Sequence, residues 1–384
     1  MIVGIVQESY PDERRVALVP SSAATLVKLG CEVLVEPGAG VAAGHVDAEY
    51  TAAGARLAAD RAEVFAAAAV VLQVRTLGAN LEAGVTDLEL IRSGQVLIGF
   101  ADPLSAGSAV RQIAARGGTL FAMELIPRIT RAQSMDALSS MASIAGYKAV
   151  LLAANTLGKI FPLMMTAAGT ISPSKVFVMG AGVAGLQAIA TARRLGAVVE
   201  AYDVRPAVKE QVQSLGARFL DLPMHTAEAQ DAGGYARELG ESEYAKQREL
   251  MLKAVAASDA VITTAAIPGR KSPVLVTAEM VRAMAPGAVI VDLAAERGGN
   301  CELTRRDETV VEGGVTILGP TNLASGVPRH ASQLYSRNIA TFFAHLLKNG
   351  ELNFDLEDQI VSETLVSRDG QIVHPRVRET SESG

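Results

Sequence analysis

Cysteine and histidine are too sparse in this sequence to build a disulfide framework or a metal centre. Among its 384 residues there are only two cysteines, Cys31 and Cys301, and they lie in different parts of the chain. The five histidines are scattered, and no two have the spacing of zinc ligands. We therefore assign no metal site and expect a protein of the reducing cytoplasm.

Aromatic residues and long apolar runs are scarce as well. There is no tryptophan and aromatic content is 4%, although hydrophobic residues make up 49% of the chain. No apolar run reaches the roughly 18 to 20 residues of a membrane span, and the N-terminal MIVGIV is too short for a signal peptide. The net charge of −6 argues against a nucleic-acid partner.

Short runs of β-type residues alternate with helical segments along the whole chain. This rhythm predicts an α/β protein of two Rossmann-like domains with parallel sheets. A long helical segment precedes the second strand–helix series, and another follows it. We therefore expect an NAD(H)-binding Rossmann domain, residues 137–329, to be inserted into an N-terminal Rossmann-like domain, residues 1–136 plus 330–384.

Three further segments carry structural predictions. TLFAMEL, residues 119–125, predicts a buried strand, and the Asp-Gly pair in VSETLVSRDGQIVHP predicts a hairpin turn. The helical segment 332–350 is apolar on one face. That face fits either a dimer seam or a core helix within the chain.

The stretch KVFVMGAGVAGLQAIATARRLGAVVEAYD contains the most informative motif. Gly180 permits a tight turn, Gly182 lets a pyrophosphate approach the backbone, and Gly185 lets the next helix pack closely; Val183 and Ala184 complete the turn. Backbone N–H groups and the helix dipole would then bind the pyrophosphate. A strand before, a helix after and an acid further on make this a dinucleotide site rather than a structural glycine turn.

The acid of this motif is Asp203, at the end of the second strand and eighteen residues after Gly185. Its carboxylate can accept hydrogen bonds from ribose hydroxyls and would repel a 2′-phosphate, which favours NAD(H) over NADP(H). Val204 and Arg205 follow it. Arg205 weakens the preference, since an arginine here can accept a 2′-phosphate; an exposed turn residue is the alternative.

A later strand, in VITTAAIPG, ends in small residues. Thr263, Thr264, Ala265 and Ala266 are expected to face the cofactor at its carboxyl end, where ligands bind in open α/β sheets. An ordinary strand end is the alternative. VDLAAERGGN, residues 291–300, is a strand end of the same kind.

Several segments together resemble one superfamily, that of alanine dehydrogenase and of the NAD(H)-binding domain of proton-translocating transhydrogenase. They are RRVALVP, VEPGAG, GAGVAG, TTAAIPG and VDLAAERGGN, and the similarity extends over nearly the whole chain. Within the superfamily, RITRAQSMDALSS and FPLMMTAAGT are similar to transhydrogenases.

The resemblance to transhydrogenases implies a catalytic group of Arg128, Gln133 and Asp136, with Ser139 one turn later. Arg128 would donate to the nicotinamide carboxamide or to phosphate, and Gln133 would orient the ring. Asp136 and Ser139 would cap a helix and bind the nicotinamide side. Their common task is positioning, because hydride transfer needs the two carbons aligned. A helix cap plus surface arginines is the alternative, and it is favoured for Arg131.

The same resemblance implies further nucleotide contacts in the region between Asp203 and the segment VITTAAIPG. DAGGYA, with Gly234 and Tyr235, is similar to a mobile loop that closes over bound nucleotide in transhydrogenases. Gln247 falls where that family has another contact.

The sequence departs from alanine dehydrogenases at the residues that handle the amino acid. Those enzymes use an Arg, a Lys and a His; Arg15 matches the first, but Arg75 and Asp102 stand at the other two positions. Forming an imine needs an acid and base near neutral pH, and arginine cannot cycle its proton. Transfer of hydride between two nicotinamides needs no substrate proton, so these departures favour transhydrogenation.

The resemblance therefore implies the alpha subunit of a Re/Si-specific, proton-translocating NAD(P) transhydrogenase. This chain would bind NAD(H), and a partner beta subunit would bind NADP(H). The chain stops at Gly384, so membrane-spanning alpha-2 and beta subunits would carry the protons. A homodimer at the cytoplasmic face of the inner membrane is implied. An alanine-type dehydrogenase and an NAD-binding regulatory module are the alternatives.

Overall fold

The computed structural model describes residues 1–221, 241–266 and 269–382. The chain divides into two compact units, Met1–Met141 with Ala324–Gly384 and Ala142–Leu323. The second unit is inserted into the first, which confirms the predicted arrangement of two α/β domains. The chain passes from the first unit to the second after Met141 and returns to the first at Ala324. The bounds 137–329 for an NAD(H)-binding domain stay a prediction.

The first unit is built on an eight-stranded sheet. Its central strands are runs of Val, Ile and Leu that are buried on both faces, as a parallel sheet between helices requires. In spatial order the strands are Gln371–Ile372, Leu365–Arg368, Thr119–Ala122, Val96–Phe100, Val70–Arg75, Ile2–Ile5, Glu32–Val35 and Arg56–Leu57. The first two form the predicted hairpin and pair antiparallel with each other, and Leu365–Arg368 also pairs antiparallel with Thr119–Ala122. The other neighbours pair in parallel.

Connection order reverses once in this sheet, between Ile2–Ile5 and Val70–Arg75. The carboxyl ends of those two strands therefore flank a topological switch point. The helices of the first unit are Pro20–Lys28, Asp47–Ala52, Arg61–Ala67, Val85–Leu88, Gly107–Ala115, Pro328–Leu346, Gln359–Thr364 and Pro375–Glu382. A short antiparallel pair, Leu347–Lys348 and Glu351–Leu352, follows the longest of them.

One prediction for the first unit needs correction. The strand predicted over 119–125 ends at Ala122, and Met123–Leu125 forms a 3₁₀ turn that brings the Glu124 carboxyl to the N–H groups of Ala101 and Asp102. Of the two alternatives for the apolar face of the C-terminal helix, the core face is the one observed.

Helix Pro328–Leu346 packs its large apolar side chains inside the first unit. Ile339, Phe342 and Phe343 are fully buried, and the Tyr335 hydroxyl donates to the Gln73 carbonyl at 2.8 Å. A face this thoroughly covered within one chain is not available as a dimer seam.

The second unit contains a seven-stranded sheet. In spatial order its strands are Arg218–Phe219, Val198–Tyr202, Lys175–Met179, Ala260–Thr263, Val289–Asp292, Val315–Leu318 and Thr309–Glu312. Only the last strand is antiparallel to its neighbour. Connection order reverses between Lys175–Met179 and Ala260–Thr263, so their carboxyl ends flank the second switch point. The helices of this unit are Val183–Arg194, Lys209–Ser214, Glu241–Ala256 and Ala278–Ala283.

The 20-residue helix Ala137–Thr156 contains the boundary between the units. Its mean hydropathy of 1.4 makes it, within the described residues, the one helix long and apolar enough to cross a membrane. The expectation that no segment has the length and apolar composition of a membrane span is therefore wrong for this helix. A core helix passes the same test, and Ala149, Val150 and Ala153 are fully buried in the second unit's core.

A small antiparallel hairpin of the second unit, Met164–Thr166 with Gly169–Ile171, stands apart from the main sheet. Its apolar side chains are exposed: Leu163 at 56%, Met165 at 76% and Ile171 at 49%. Solvent contact of this extent is costly for large aliphatic side chains.

Candidate nucleotide-binding site

The glycine-rich turn of the second unit joins strand Lys175–Met179 to helix Val183–Arg194. Gly180 has φ +97°, and a Cβ there would meet the Thr264 hydroxyl oxygen at 2.6 Å. A Cβ at Gly185 would lie 1.8 Å from the Gly180 carbonyl oxygen. Both positions therefore require glycine, the first for its backbone conformation and the second for close packing of the helix against the turn.

Gly182 differs from the other two glycines because no atom lies within contact distance of the position that a Cβ would occupy. The nearest atom to a Cβ at Gly182 would be Nη2 of Arg205, at 4.0 Å. Val183, the first helical residue, is 40% exposed, and Ala184 is partly exposed. An anionic group can thus approach the backbone and the helix N-terminus here, which is the cradle that a dinucleotide pyrophosphate needs.

Asp203 lies directly after strand Val198–Tyr202 and is 9% exposed. Oδ2 accepts the Ala181 N–H at 2.7 Å, so the carboxylate holds the glycine turn against the neighbouring strand. The other bonds come from Arg205: its backbone N–H and Nε donate to Oδ1 at 2.9 Å each, and its Nη2 donates to Oδ2 at 2.9 Å. Val204, between them, is partly exposed.

The loop after strand Ala260–Thr263 lies on the other side of the switch point. The Thr264 hydroxyl donates to the Gly180 carbonyl at 3.0 Å, which ties this loop to the glycine turn. Ala265 is partly exposed and Ala266 is exposed. Thr263, expected to face the cofactor, is instead fully buried and donates to Oδ1 of Asp292 at 2.9 Å, so its role is structural.

Asn300 positions this loop, and sequence reasoning did not single it out. Its Oδ1 accepts the Ala265 N–H at 2.9 Å, and its Nδ2 donates to the carbonyls of Ala265 and Pro273 at 2.8 Å each. Asn300 is itself fully buried. The only sequence signal is the position of this asparagine at the end of VDLAAERGGN, since a buried amide must find partners.

Asp292, at the end of strand Val289–Asp292, holds Asn300 in turn. The carboxylate is fully buried and accepts five hydrogen bonds. The donors are the Thr263 and Thr304 hydroxyls and the N–H groups of Ala294, Asn300 and Cys301. A carboxylate bonded this fully is a fixed scaffold for the loop.

The residues of RITRAQSMDALSS lie in the first unit, on the 3₁₀ helix Thr130–Met135 and around it. Arg128 and Gln133 are exposed. Arg131 forms a forked ion pair with Asp358, Nη2 to Oδ1 at 2.6 Å and Nη1 to Oδ2 at 3.1 Å, and Asp358 also binds His345. Arg131 is therefore a structural residue.

Asp136 is the N-cap of helix Ala137–Thr156. Its Oδ1 accepts the Ser139 N–H at 2.8 Å, and its Oδ2 accepts the Ser139 hydroxyl at 2.5 Å. This is the usual capping bond to the third helical N–H. The cap fixes both side chains at the helix start and leaves each residue partly exposed.

Three predicted contacts cannot be placed. Gly234 and Tyr235 lie outside the described residues. Gln247 belongs to helix Glu241–Ala256, but its side chain is outside the described part of the chain.

Two family models match consecutive parts of the sequence. The N-terminal domain of alanine dehydrogenase/PNT matches residues 4–145, and its C-terminal domain matches residues 149–375. The chain belongs to the alanine dehydrogenase/PNT family. Membership confirms the resemblance drawn from the glycine turn and the strand-end segments.

Members of the alanine dehydrogenase/PNT family match this chain over its full length. An NAD(P) transhydrogenase alpha-subunit chain of Rhodospirillum rubrum is 50% identical over 380 residues, 98% of each chain. The crystal structure of a transhydrogenase from Sinorhizobium meliloti matches with a TM-score of 0.86 and 46% identity, covering 97% of this chain and all of that one. An L-alanine dehydrogenase structure matches with a TM-score of 0.83 at 27% identity, over 100% and 99%.

Two of the three positions that the resemblance compares with alanine dehydrogenases, Arg15 and Arg75, lie in a charged cluster of the first unit. Glu13 accepts from Nε of Arg15 at 2.7 Å and from Nε of Arg75 at 3.2 Å. Arg75 also lies over the Tyr10 ring, 4.2 Å from its centre. Burial alone would raise the pKa of Glu13, but the hydrogen bond and charge of Arg15, with Arg75, lower it to about 2.

Asp102, the third of these positions, has φ +44° and donates its N–H to Oε1 of Glu124 at 2.5 Å. Glu124 is partly exposed as a residue, but its Oε2 is buried without a hydrogen-bond partner among the described residues. Burial raises the pKa of the Glu124 carboxyl to about 7. A neutral acid fits this geometry, because one oxygen accepts both neighbouring N–H groups.

Proposed function

We propose that this chain is the NAD(H)-binding component of a Re/Si-specific, proton-translocating NAD(P) transhydrogenase. The observation that carries the proposal is the glycine turn of the second unit, closed by Thr264 and Asp203 and open at Gly182. The full-length similarity to transhydrogenase alpha subunits supports it. An oxidoreductase that binds a nicotinamide nucleotide is the part of this proposal on which both branches of the family agree.

The glycine turn fits a dinucleotide, and each part has a task. Gly182 and the start of helix Val183–Arg194 would hold the pyrophosphate, and Asp203 would bind the adenosine ribose. The acid favours NAD(H), because a 2′-phosphate beside a carboxylate is repelled. Thr264, Ala265 and Ala266, held by Asn300, would form the opposite wall.

The bound nucleotide supplies a hydride, and the reaction balances without any other group: NADH and NADP⁺ give NAD⁺ and NADPH. No substrate proton is taken up or released. The arginine at position 75 and the aspartate at position 102 fit this chemistry, since they stand where the resemblance places the lysine and histidine of an amino-acid dehydrogenase, and arginine cannot cycle its proton. Arg75 is instead committed to Glu13 and Tyr10.

Arg128, Gln133 and Asp136 would position the nicotinamide end for transfer. Alignment of the two reacting carbons accounts for most of the rate when no proton moves. Arg128 and Gln133 are exposed, and the Ser139 cap holds Asp136 in place. Gly234, Tyr235 and Gln247 remain proposed contacts.

The partners follow from the same proposal. An NADP(H)-binding beta subunit would accept the hydride, and membrane-spanning alpha-2 and beta subunits would move the protons. This chain would act as a homodimer at the cytoplasmic face of the inner membrane. The hairpin Met164–Thr166 with Gly169–Ile171 supports a self-association surface, because its apolar side chains are exposed.

The test uses the purified chain, NADH and membranes that carry the NADP-binding partner but lack this subunit. Reduction of an NADP⁺ analogue with its own absorbance band is followed. We expect reduction that requires this chain. No reduction with an intact partner, together with turnover of pyruvate, ammonia and NADH by the chain alone, would establish the alanine dehydrogenase alternative. NADH binding without hydride transfer in either assay would indicate a regulatory module.

Arg128 and Arg131 provide a matched pair for the positioning residues. Both are exposed arginines of one loop; Arg128 belongs to the proposed positioning group, and Arg131 forms an ion pair with Asp358. We expect Arg128→Ala to lower the transfer rate at least about tenfold with little change in NADH affinity. Arg131→Ala should leave both unchanged. Gln133→Asn should resemble Arg128→Ala; loss of NADH binding with an unchanged rate would contradict the assignment.

A further inference from the structure

The acceptor capacity of Asp203 is fully used. A carboxylate offers about four lone-pair sites. Oδ1 receives the backbone N–H and Nε of Arg205, and Oδ2 receives the Ala181 N–H and Nη2 of Arg205. All four bonds are 2.7 to 2.9 Å long. A fifth donor would have to share an oxygen with two others, as at Asp292, so a ribose hydroxyl gains a full bond here only by displacing one of the four.

The four bonds differ in how easily they can be given up. The N–H groups of Ala181 and Arg205 belong to the backbone of the glycine turn and of the strand end, so they stay with the fold. Nε and Nη2 of Arg205 are side-chain donors on a part-exposed arginine, 17% accessible. Two of the four acceptor sites are therefore exchangeable, and a ribose presents two hydroxyls.

The Arg205 guanidinium also lies beside the path of the phosphates. Its Nη2 is the atom nearest to the open face of Gly182, 4.0 Å from a Cβ placed there. A guanidinium released from Asp203 would remain next to the segment where we place the pyrophosphate. Charge would then favour its new position, since a diphosphate attracts a planar fork of donors.

We propose that Arg205 competes with the adenosine ribose for Asp203. Its side chain occupies the two acceptor sites that the ribose hydroxyls need, and it leaves them when nucleotide binds. The inference rests on the proposed function, because it takes the second unit as the dinucleotide site. Arg205 is thus a specificity-determining residue: it sets how much each ribose hydroxyl contributes to affinity.

The competition has a consequence that separates it from simple electrostatics. Each hydroxyl gained by Asp203 replaces a bond already made to Arg205, so the 2′-hydroxyl adds little in the native chain. With Arg205 removed, the same hydroxyl would bond to a carboxylate oxygen that otherwise has only water. A hydrogen bond to a charged group then changes affinity by about tenfold or more.

The test compares AMP with 2′-deoxy-AMP, which share the phosphate and differ in one hydroxyl. Their affinities are measured by displacement of NADH, followed by its fluorescence, for the native chain and for Arg205→Met. We expect the ratio of AMP to 2′-deoxy-AMP affinity to be near one to three in the native chain. It should rise about tenfold in Arg205→Met. Arg205→Lys, which keeps the charge without the fork, should fall between.

Arg282→Met is the control, because Arg282 makes an exposed ion pair with Glu312 in the same unit. It should leave the ratio at the native value. A ratio that stays the same or falls in Arg205→Met, with both ligands weakened equally, would show that Arg205 binds phosphate only and would overturn the inference. A native chain that bound neither NADH nor AMP would overturn the proposed function, and the inference with it. Arg205→Lys serves if the methionine variant does not fold, as judged by its melting curve.

Discussion

The two sheets of this protein each reverse their connection order once, but different kinds of residue lie at the two switch points. In the second unit, the flanking strands lead into glycine, threonine and alanine. The Gly180 carbonyl accepts from the Thr264 hydroxyl, and the Asn300 side chain accepts from the Ala265 N–H. In the first unit, the flanking strand Val70–Arg75 ends in a cation, and Glu13 and Arg15 bind beside it. One switch point presents the backbone of a glycine turn, with the Asp203–Arg205 pair beside it, and the other presents charged side chains alone.

This difference shows that strand order places a crevice but does not decide what enters it. A phosphate needs close approach to N–H groups, which the small side chains around Gly182 allow. The first unit fills the corresponding place with its own ion pairs, whose partners are already satisfied. The comparison predicts that the first unit is sensitive to loss of charge, whereas the second is sensitive to added volume.

The largest effect should come from Arg15→Met in the first unit. The change leaves Glu13 buried with only part of its compensation, and loss of one partner of a buried pair typically costs about 3 to 5 kcal/mol. Hydrogen exchange of amides in strands Ile2–Ile5 and Val70–Arg75 reports this unit separately. We expect the amides of those two strands to exchange faster than in the native chain, and the exchange rates in Lys175–Met179 to stay unchanged.

Arg282→Met is the control for this prediction, since an exposed pair with Glu312 contributes under about 1 kcal/mol. Equal, small effects of the two substitutions would show that the buried cluster of the first unit is no more important to stability than a surface pair.

Gly185→Ala should produce the next largest effect, in the second unit. The added methyl would lie 1.8 Å from the Gly180 carbonyl, so either the helix or the turn must move. We expect NADH affinity to fall at least about hundredfold, since the turn must fit a pyrophosphate closely. Gly158→Ala, where a Cβ meets nothing within 4 Å, is the matched control. Retained affinity in Gly185→Ala would remove the turn from the site.

The contrast between the units also explains what sequence reasoning could reach. The glycine turn and Asp203 lie within 24 consecutive residues, 180 to 203, so their spacing alone encodes a strand, a turn, a helix and an acid. Thr263 illustrates the limit: the motif places it at the strand end, but strand pairing decides that it bonds Asp292.

The charged cluster of the first unit and Asn300 were beyond sequence reasoning for the same reason. Glu13, Arg75 and Glu124 come from separate segments, and only the pairing of strands brings the first two into contact. Asn300 is recognisable as a clamp only once Ala265 is seen beside it. Non-local polar contacts leave no periodic trace in a sequence.

A smaller, pH-dependent effect should distinguish Glu124 in the first unit. Its pKa is raised from 4.5 to about 7 by burial, so the folded state holds a proton that the unfolded chain releases. The stabilisation is fully present below pH 4.5 and is lost as pH rises through 7. In urea unfolding, Glu124 alone should contribute a decrease of about 2 to 3 kcal/mol over this window.

Glu124→Gln should reduce the decrease by about 2 to 3 kcal/mol, because an amide does not titrate in this range. The part that remains is expected from Glu8, whose pKa burial raises to about 8. Glu302→Gln, at an exposed carboxylate of the second unit that accepts the Ala278 N–H, should leave the decrease unchanged. A native profile that is flat from pH 4.5 to 7 would show that the Glu124 carboxyl is ionised throughout.

The smallest effect should come from Asp136, where a structural and a functional role coincide. Asp136→Ala removes the cap of helix Ala137–Thr156 and should cost about 1 kcal/mol in thermal unfolding. Asp136→Asn keeps the cap, because an amide oxygen accepts the Ser139 N–H equally well, but it removes the charge. If Asp136 serves only the helix, Asp136→Asn should behave as the native chain in both stability and hydride transfer. The opposite outcome is that Asp136→Asn has the native melting temperature but a hydride-transfer rate as low as that of Asp136→Ala. That result would show that the negative charge of Asp136 acts at the nicotinamide site.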